Sequence, residues 1–282
     1  MTHLKYLISL LLMSLLFLFL LCLSPIFWTN IQPQNLPDFE LISHRGAAGL
    51  APENTLAGVQ KALDLKADRI EIDVHQTKDS VLVVMHDKTL NRTTNGRGKI
   101  KRQTYEELQG FAVDLMGKRE KIPTLEEVIQ LVDGRAILMI EVKNGDAYYS
   151  GIERRIVELI HRYDGGNWCF VMSFDDRVLY KVNELDSSIL LYKLFVGKPR
   201  FLSVILGKRL HFKSLESYEM VEGFCVMYPF VHRQLIEEVH ALGKTVFVWT
   251  LNDAEVFKEL LELGVDGVIT DCPDVLGGLK ED

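Results

Sequence analysis

Eight short apolar runs recur along the chain between residues 40 and 270, and they constrain its fold most. They are centred near Ile42, Ile70, Leu138, Phe170, Leu190, Cys225, Phe247 and Val268. Amphipathic helical patterns lie between several of them, as at Asn54 to Lys66 and at Asp253 to Leu263. Gly243 and Gly264 end two of the helices directly before a strand. Alternating strands and helices, eight times over, predict an α/β protein with a (β/α)8 TIM barrel.

A mostly polar insertion interrupts this alternation at residues 88–122. It is rich in Thr, Asn, Gly, Arg and Lys, and it precedes a helix that we expect to start near Thr124. Irregular segments of this kind carry function when a rigid scaffold holds them. We therefore predict that the insertion forms a small cap over the site.

The second apolar run carries two carboxylates on one face. Because side chains alternate along a strand, Glu71 and Asp73 point the same way. Two carboxylates on a buried face repel each other unless a cation lies between them. A turn cluster and a further apolar run follow, which predicts a hairpin. With its turn centred on Asp79 and Ser80, Asp73 lies opposite His86.

Polar or aromatic side chains mark the ends of several runs. In barrels of this type, catalytic side chains lie at the carboxyl ends of the strands. The residues at these positions are His44, Asp73, Glu141, Ser173, Trp249 and Asp271. We expect Asp271 to support His44 as a hydrogen-bond acceptor.

A set of short motifs occurs in order along the chain. They are His44-Arg45-Gly46, Pro52-Glu53-Asn54-Thr55, Glu71-x-Asp73, His86-Asp87, Asn91-Arg92-Thr93-Thr94-Asn95-Gly96, Glu141-x-Lys143, Trp249-Thr250-x-Asn252 and Thr270-Asp271-x-Pro273. Together they resemble the glycerophosphodiester phosphodiesterase family over about residues 40–278. The resemblance implies a barrel of the same fold. It also implies hydrolysis of a glycerophosphodiester to sn-glycerol 3-phosphate and an alcohol.

Three carboxylates are the predicted metal ligands: Glu71, Asp73 and Glu141. Carboxylate oxygens without a nearby cysteine select hard divalent cations over zinc. We therefore expect Mg²⁺ or Ca²⁺ as the cofactor, with Mn²⁺ as a further candidate. The competing interpretation is an ordinary barrel salt bridge, such as one between Glu141 and Lys143.

His44 and His86 are the predicted acid and base. A near-neutral pKa lets one imidazole accept a proton while the other donates one to the leaving oxygen. Arg45 has a planar fork suited to phosphate. Lys143 is expected to contact the phosphate or the carboxylates, and Trp249 to form a wall beside the substrate. The attacking group, water or a neighbouring substrate hydroxyl, is left open.

The charge balance and the cysteine content limit which binding partners and which covalent cross-links are expected. The chain carries 32 Lys and Arg against 39 Asp and Glu, for a net charge of −7. This acidic balance argues against nucleic-acid binding. The four cysteines are scattered, so we expect no disulfide framework. A small-molecule substrate is expected, and no protein partner is inferable.

The amino terminus is predicted to anchor the protein in a membrane. Residues 6–28 contain no charged side chain and are long enough to cross a bilayer as a helix. We assign residues 1–35 to anchor and linker, and residues 36–282 to the catalytic barrel. Lys5 precedes the apolar run and an uncharged flank follows it, which places the barrel outside the cytoplasm by the positive-inside rule.

A basic segment keeps a second activity open. Residues from Tyr192 to Lys213 carry six Lys or Arg and no acid, interleaved with apolar side chains. Near the mouth of the site, such a segment would bind anionic lipid headgroups, which favours a lysophospholipase D. The competing interpretation is a barrel helix with a solvated basic face. A non-catalytic barrel that binds a headgroup is a third hypothesis.

Overall fold

Eight parallel strands close into a barrel. The structure is a computed structural model that describes residues 36–115, 117–198, 205–206, 210–211 and 214–280. The barrel strands are β1 (Glu40–Ser43), β2 (Arg69–Gln76), β3 (Ile137–Val142), β4 (Cys169–Ser173), β5 (Leu191–Phe195), β6 (Gly223–Met227), β7 (Thr245–Trp249) and β8 (Gly267–Thr270). Their order around the barrel follows the chain, and β1 pairs with both β8 and β2. The predicted (β/α)8 TIM barrel is confirmed.

Helices follow most of the strands. They are α1 (Leu56–Asp64), α2 (Leu125–Val132), α3 (Ile152–Arg162), α4 (Asp176–Leu185), α5 (Arg233–Ala241), α6 (Ala254–Leu263) and α7 (Pro273–Gly277). Side chains cap several amino termini, and Thr124 forms a capping box with Glu127 at the start of α2. Gly264 ends α6 with a left-handed φ of 104°. The predicted start near Thr124 and the predicted end at Gly264 are both confirmed.

Two apolar layers hold the barrel together. Outward-facing strand residues pack against the helices in the larger core. The interior is filled by Ile42, Met139, Phe170, Met172, Tyr192, Leu194, Cys225, Phe247 and Ile269. Near the amino ends of the strands, the Arg69 guanidinium lies 5.0–5.5 Å from the ring centroids of Phe170, Tyr192 and Phe247, and it pairs with Glu40. This packing leaves the opposite end of the barrel for the site.

The chain between β2 and α2 forms a satellite with its own core. It begins with a short strand Leu82–Val84 antiparallel to β2, and the insertion at residues 88–122 adds a helix Tyr105–Leu108 and the strands Val113–Leu115 and Lys118–Glu120, which pair with each other. Its buried apolar residues are Val83, Met85, Leu90, Ile100, Leu108, Val113 and Ile122. The predicted hairpin is present. That the satellite covers the site stays a prediction.

The predicted register of this hairpin is wrong by one residue. Val74 pairs with Val84 and His75 with Val83, and the Asp73 carbonyl accepts a hydrogen bond from the Met85 N–H at 2.9 Å. The loop has three residues, and its last, Ser80, has a left-handed φ of 69°. Asp73 therefore lies opposite Met85, and not opposite His86.

The segment after β5 corrects the placement of Lys193. Its described residues contain the antiparallel strands Ile205–Leu206 and Leu210–His211 and no α-helix, so they give no support to the competing interpretation of a barrel helix. Lys193, counted with the basic segment, lies on β5 with 1% exposure, 3.0 Å from Asp176 Oδ1. A strand running through the barrel wall buries it. Most other residues of the basic segment lie outside the described part of the chain.

The described domain begins at Leu36. The predicted membrane segment at residues 6–28 lies outside the described residues. Among the helices from residue 36 onward that the structure describes, none has the length and apolar character to span a membrane.

Candidate active site

A strained turn at the end of β1 brings the first site residues together. Arg45 and Gly46 both have left-handed φ values, 51° and 84°. The Arg45 N–H donates to Glu71 Oε2 at 2.9 Å, and the Gly46 N–H donates to the Glu71 carbonyl at 3.0 Å. Non-glycine residues with φ above zero cost free energy and cluster at functional sites. The turn therefore fixes the positions of His44 and Arg45 against β2.

Gly46→Ala tests how strictly this turn needs glycine. A Cβ at Gly46 would lie 2.7 Å from the backbone carbon of Gly58 in α1, in addition to the unfavourable φ. We expect the free energy of unfolding to fall by about 3 kcal/mol, measured by urea denaturation. Gly243→Ala is the matched control, because Gly243 has a φ of 69° and open space around it. It should lose only about 1 kcal/mol, and equal losses would contradict the contact argument.

Three buried carboxylates meet inside the barrel mouth. One oxygen from each of Glu71, Asp73 and Glu141 lies within 4.8 Å of the other two. Glu71 Oε1 is buried without a hydrogen-bond partner among the described residues. A buried carboxylate oxygen without a partner, beside two further carboxylates, is the donor set of a hard cation. The residues therefore fit such an ion, and the predicted metal ligands lie together.

The protonation of these carboxylates reflects their crowding. Burial, and then the charges of Asp73 and Glu141, raise the pKa of Glu71 well above its usual value. Burial acts in the same direction on Asp73, but Lys143, His86 and Arg45 outweigh it and lower its pKa. In the absence of a metal, burial and crowding thus favour the protonated form of Glu71.

Two cations lie beside the carboxylates. Lys143 Nζ is 2.8 Å from Glu141 Oε1 and 3.0 Å from Asp73 Oδ1. Burial opposes the charge of Lys143, but Asp73 and Glu141 outweigh it and raise its pKa, so the ammonium stays charged. Arg45 Nε lies 3.5 Å from Asp73 Oδ2 and lines the same cavity. The salt bridge between Glu141 and Lys143, the competing interpretation given above, is present beside the three carboxylates.

Asn54 holds Asp73 in place with two hydrogen bonds. Its Nδ2 donates to Asp73 Oδ2 at 2.7 Å, and its Oδ1 accepts from the Asp73 N–H at 3.0 Å. The cap of helix α1 is the neighbouring Thr55. Outer partners of metal ligands are typically worth about 10–100-fold in affinity or activity. We expect Asn54→Ala to weaken binding of Ca²⁺ or Mg²⁺ by about 10-fold in calorimetry, whereas unchanged affinity would remove this role.

The carboxylate of Asp271 orients His44 and is itself held by Asn252. His44 Nδ1 lies 2.6 Å from Asp271 Oδ1, and the Asn252 side-chain amide donates to Asp271 Oδ2 at 3.0 Å. An imidazole that donates from Nδ1 to a carboxylate presents Nε2 for proton exchange. His44 Nε2 lies 3.9 Å from Glu71 Oε2. The expected contact between Asp271 and His44 is confirmed.

His86 has a matching arrangement on the other side. Its Nδ1 lies 2.7 Å from Asp87 Oδ1, so Nε2 is again the exchanging atom. Its backbone carbonyl is 3.0 Å from His75 Nε2, and His75 Nδ1 is 3.0 Å from the Tyr149 hydroxyl. Burial lowers the pKa of His75 to about 4, so this ring is neutral and structural. Burial also lowers the pKa of His86, with Lys143 adding to the effect.

A cavity of about 220 Å³ connects these groups. It is lined by His44, Arg45, Glu71, His86, Glu141, Lys143, Met172, Phe174, Leu194, Trp249, Thr250 and Ile269. Trp249 packs edge-on against Phe174 at 5.6 Å, and its indole N–H donates to the Cys225 carbonyl at 2.9 Å. The lining of the cavity therefore combines apolar side chains with the charged groups.

The structure brings together every predicted site residue. Seven of the eight line the cavity, and Asp73 lies directly beneath it in contact with Lys143. Sequence reasoning assigned no role to Asp87, Arg92 and Asn252, although each stood in a quoted motif. It also missed Tyr149, which no motif contains.

A family model, relatives and solved structures all match this chain along nearly the whole described domain. The model of the Glycerophosphoryl diester phosphodiesterase family matches residues 44–275. A glycerophosphodiester phosphodiesterase of Caldanaerobacter subterraneus is 34% identical over 244 residues, covering 84% of this chain and 95% of the relative. A human lysophospholipase D is 28% identical, covering 83% of this chain and 84% of its own. An Oleispira antarctica phosphodiesterase, solved with its product sn-glycerol-3-phosphate, is 27% identical with a TM-score of 0.76, covering 88% of this chain and 98% of that one.

Proposed function

Because the chain belongs to the glycerophosphoryl diester phosphodiesterase family, we propose that it hydrolyses glycerophosphodiesters to sn-glycerol 3-phosphate and an alcohol. The observation that carries this proposal is one cavity lined by two histidines, a guanidinium, an ammonium and buried carboxylates. This set supplies charge for a phosphate and two groups for proton transfer.

Glu71, Asp73 and Glu141 would hold a hard divalent cation. Their all-oxygen donor set favours Mg²⁺ or Ca²⁺, with Mn²⁺ as a further candidate. When bound, the cation would withdraw charge from a phosphate oxygen as a Lewis acid. Its positive charge would also offset the repulsion among the three carboxylates, which adds to burial in raising the pKa of Glu71.

Arg45 and Lys143 would bind the phosphate. Arg45 presents a planar fork to the cavity, and Lys143 adds a charge that its carboxylate neighbours keep protonated. Both cations are held in place before substrate arrives, because the carboxylates already position them. Preorganised charges of this kind stabilise the charge that develops on the phosphoryl oxygens.

His44 and His86 would carry the proton transfers. In each ring, Nδ1 is held by a carboxylate, and Nε2 is left to exchange a proton. One histidine takes the proton of the attacking hydroxyl while the other gives a proton to the alcohol oxygen as its bond to phosphorus breaks. Water and a neighbouring hydroxyl of the substrate both satisfy this scheme as the attacking group.

The apolar part of the cavity lining would receive the organic part of the substrate. It consists of Met172, Phe174, Leu194, Trp249 and Ile269. Trp249 is fixed by its hydrogen bond to the Cys225 carbonyl and by its contact with Phe174, so it offers a rigid surface. The glycerol or the headgroup would pack against this ring.

A lysophospholipase D activity at a membrane surface is the second candidate. Its support is the similarity to a human lysophospholipase D, together with the apolar part of the cavity lining and the apolar run at residues 6–28. In this version, residues 1–35 anchor the chain as a single membrane pass, with the barrel outside the cytoplasm. Protease protection of intact cells or vesicles tests that orientation.

Product identification separates the candidates. Purified residues 36–282 are given glycerophosphocholine or lysophosphatidylcholine with Mg²⁺ or Ca²⁺, and the products are separated by mass. Release of sn-glycerol 3-phosphate and choline from the first substrate supports the main proposal. Release of choline and lysophosphatidic acid from the second substrate alone supports the lysophospholipase D. Turnover of neither would favour a barrel that only binds a headgroup.

A further inference from the structure

Arg92 reaches from the insertion to two separate parts of the barrel rim. One edge of its guanidinium, Nε and Nη2, donates to the two oxygens of Asp87 at 3.0 Å each. The other edge, Nη1 and Nη2, donates to the two oxygens of Glu53 at 2.8 and 2.7 Å. Asp87 follows His86, and Glu53 lies in the loop between β1 and α1. A single side chain thus joins two rim segments by paired hydrogen bonds.

Each of the two carboxylates also holds a residue that lines the cavity. Asp87 Oδ1, which accepts from Arg92, lies 2.7 Å from His86 Nδ1. Glu53 Oε1, which also accepts from Arg92, receives a second hydrogen bond from Arg45 Nη1 at 3.0 Å. A single carboxylate, Asp87, therefore connects Arg92 to His86, and another, Glu53, connects it to Arg45.

We propose that Arg92 is a positioning residue that sets His86 and Arg45 relative to each other through Asp87 and Glu53. The inference rests on the proposed function, because it concerns the two residues proposed to move a proton and to bind the phosphate. It gives the insertion a part in the reaction, since the insertion supplies the guanidinium that joins both sides of the cavity.

The geometry explains why arginine is needed at this position. Exposed ion pairs contribute little to stability, and the Arg92 side chain is 45% exposed. Its two edges nevertheless match two carboxylates at once, which the single point charge of a lysine cannot do. Hydrogen bonds from Arg92 are the main cause that lowers the pKa of Asp87 to about 2. Asp87 therefore stays ionised and keeps accepting from His86.

The charges of the cluster alternate. Arg45, Glu53, Arg92 and Asp87 form a chain of cation, anion, cation and anion that ends at His86. Removing Arg92 leaves two neighbouring carboxylates without their shared donor. Each would then turn toward water, and the side chains of His86 and Arg45 would lose their fixed orientation.

The test is steady-state kinetics on glycerophosphocholine with Arg92→Met. Loss of Asp87 support should lower kcat, because His86 acts in the chemical step, and loss of Glu53 support should raise KM, because Arg45 binds the phosphate. We expect kcat/KM to fall by about 10–100-fold. Asp87→Asn should reproduce mainly the fall in kcat, and Glu53→Gln mainly the rise in KM.

A double variant distinguishes positioning from general structure. If Arg92 acts on His86 through Asp87, kcat of the Asp87→Asn/Arg92→Met variant equals that of Asp87→Asn alone. Arg92→Lys should recover little, since it keeps the charge but loses the fork. Arg97→Met is the control, because Arg97 is an exposed arginine of the same insertion without an ion pair in the described part of the chain. It should keep wild-type kinetics.

Three outcomes would overturn the inference while the wild-type protein is active. They are wild-type kcat and KM in Arg92→Met, full recovery by Arg92→Lys, and losses in kcat that simply add in the double variant. Thermal unfolding accompanies each assay, and if Arg92→Met does not fold, Arg92→Lys with wild-type kcat and KM overturns it equally. An inactive wild-type protein would instead contradict the proposed function.

Discussion

We expect His44→Ala and His86→Ala each to lose nearly all turnover of glycerophosphocholine. Each ring is held at Nδ1 by a carboxylate and presents Nε2 to a cavity that also holds Arg45 and Lys143. Removing a positioned acid or base typically costs about 10²–10⁴-fold in rate. The measurement is kcat from release of sn-glycerol 3-phosphate, with circular dichroism to confirm that each variant is folded.

His161→Ala is the matched control for these variants. His161 also pairs with an aspartate, at 2.6 Å from Asp186, but it lies on the outer helix α3 with 55% of its side chain exposed. Its replacement should leave kcat unchanged. A folded His44→Ala or His86→Ala variant with wild-type kcat would remove that histidine from the proton transfers.

Removing divalent cations is expected to abolish activity. Dialysis against EDTA should reduce the rate by at least about 100-fold, because Glu71, Asp73 and Glu141 then repel one another and the phosphate loses its strongest counter-charge. Adding Mg²⁺, Ca²⁺ or Mn²⁺ back in excess should restore the rate, and the order of restoration identifies the preferred ion. Full activity in EDTA, with metal content verified by mass spectrometry, would contradict the metal assignment.

The same site makes metal affinity depend on pH. Burial and the neighbouring Asp73 and Glu141 raise the pKa of Glu71, so a proton competes with the cation for this carboxylate. The protonated form gains population as the pH falls. Apparent affinity for the cation, measured by calorimetry, should therefore weaken toward acidic pH, and binding should release protons.

Hydrophobic periodicity was sufficient to predict the barrel. The strands are buried on both faces, so most of them appear in the sequence as short runs dominated by apolar residues, whereas β2 also carries Glu71 and Asp73. Lys193 was misjudged for a different reason, because its charge suggested exposure although β5 buries it beside Asp176.

The residues of the site were easier to predict than the residues that hold them in place. Glu71 and Asp73 lie on the same face of a strand, because side chains alternate along it, and His44, Glu141 and Trp249 lie at strand ends. Alternation and barrel topology therefore place these residues together. The register of the hairpin depended on Ser80 in its turn. No sequence pattern indicated that this residue has a left-handed φ.

Hydrogen bonds between side chains on different segments of the barrel rim could not be predicted from the sequence. Arg92 bonds Glu53 across 39 positions, and Tyr149 bonds His75 across 74. Such contacts follow from how the insertion and the loops pack in three dimensions, and no periodicity of one sequence encodes them. A motif can mark such a residue, as with Arg92, without indicating what it contacts.

The most direct test is a crystal structure with Ca²⁺ and sn-glycerol 3-phosphate. We predict anomalous density for the ion at about 2.3–2.6 Å from oxygens of Glu71, Asp73 and Glu141. We also expect the phosphate to contact Arg45, with His44 and His86 on either side of it. An ion bound elsewhere, or a phosphate away from these two histidines, would contradict it.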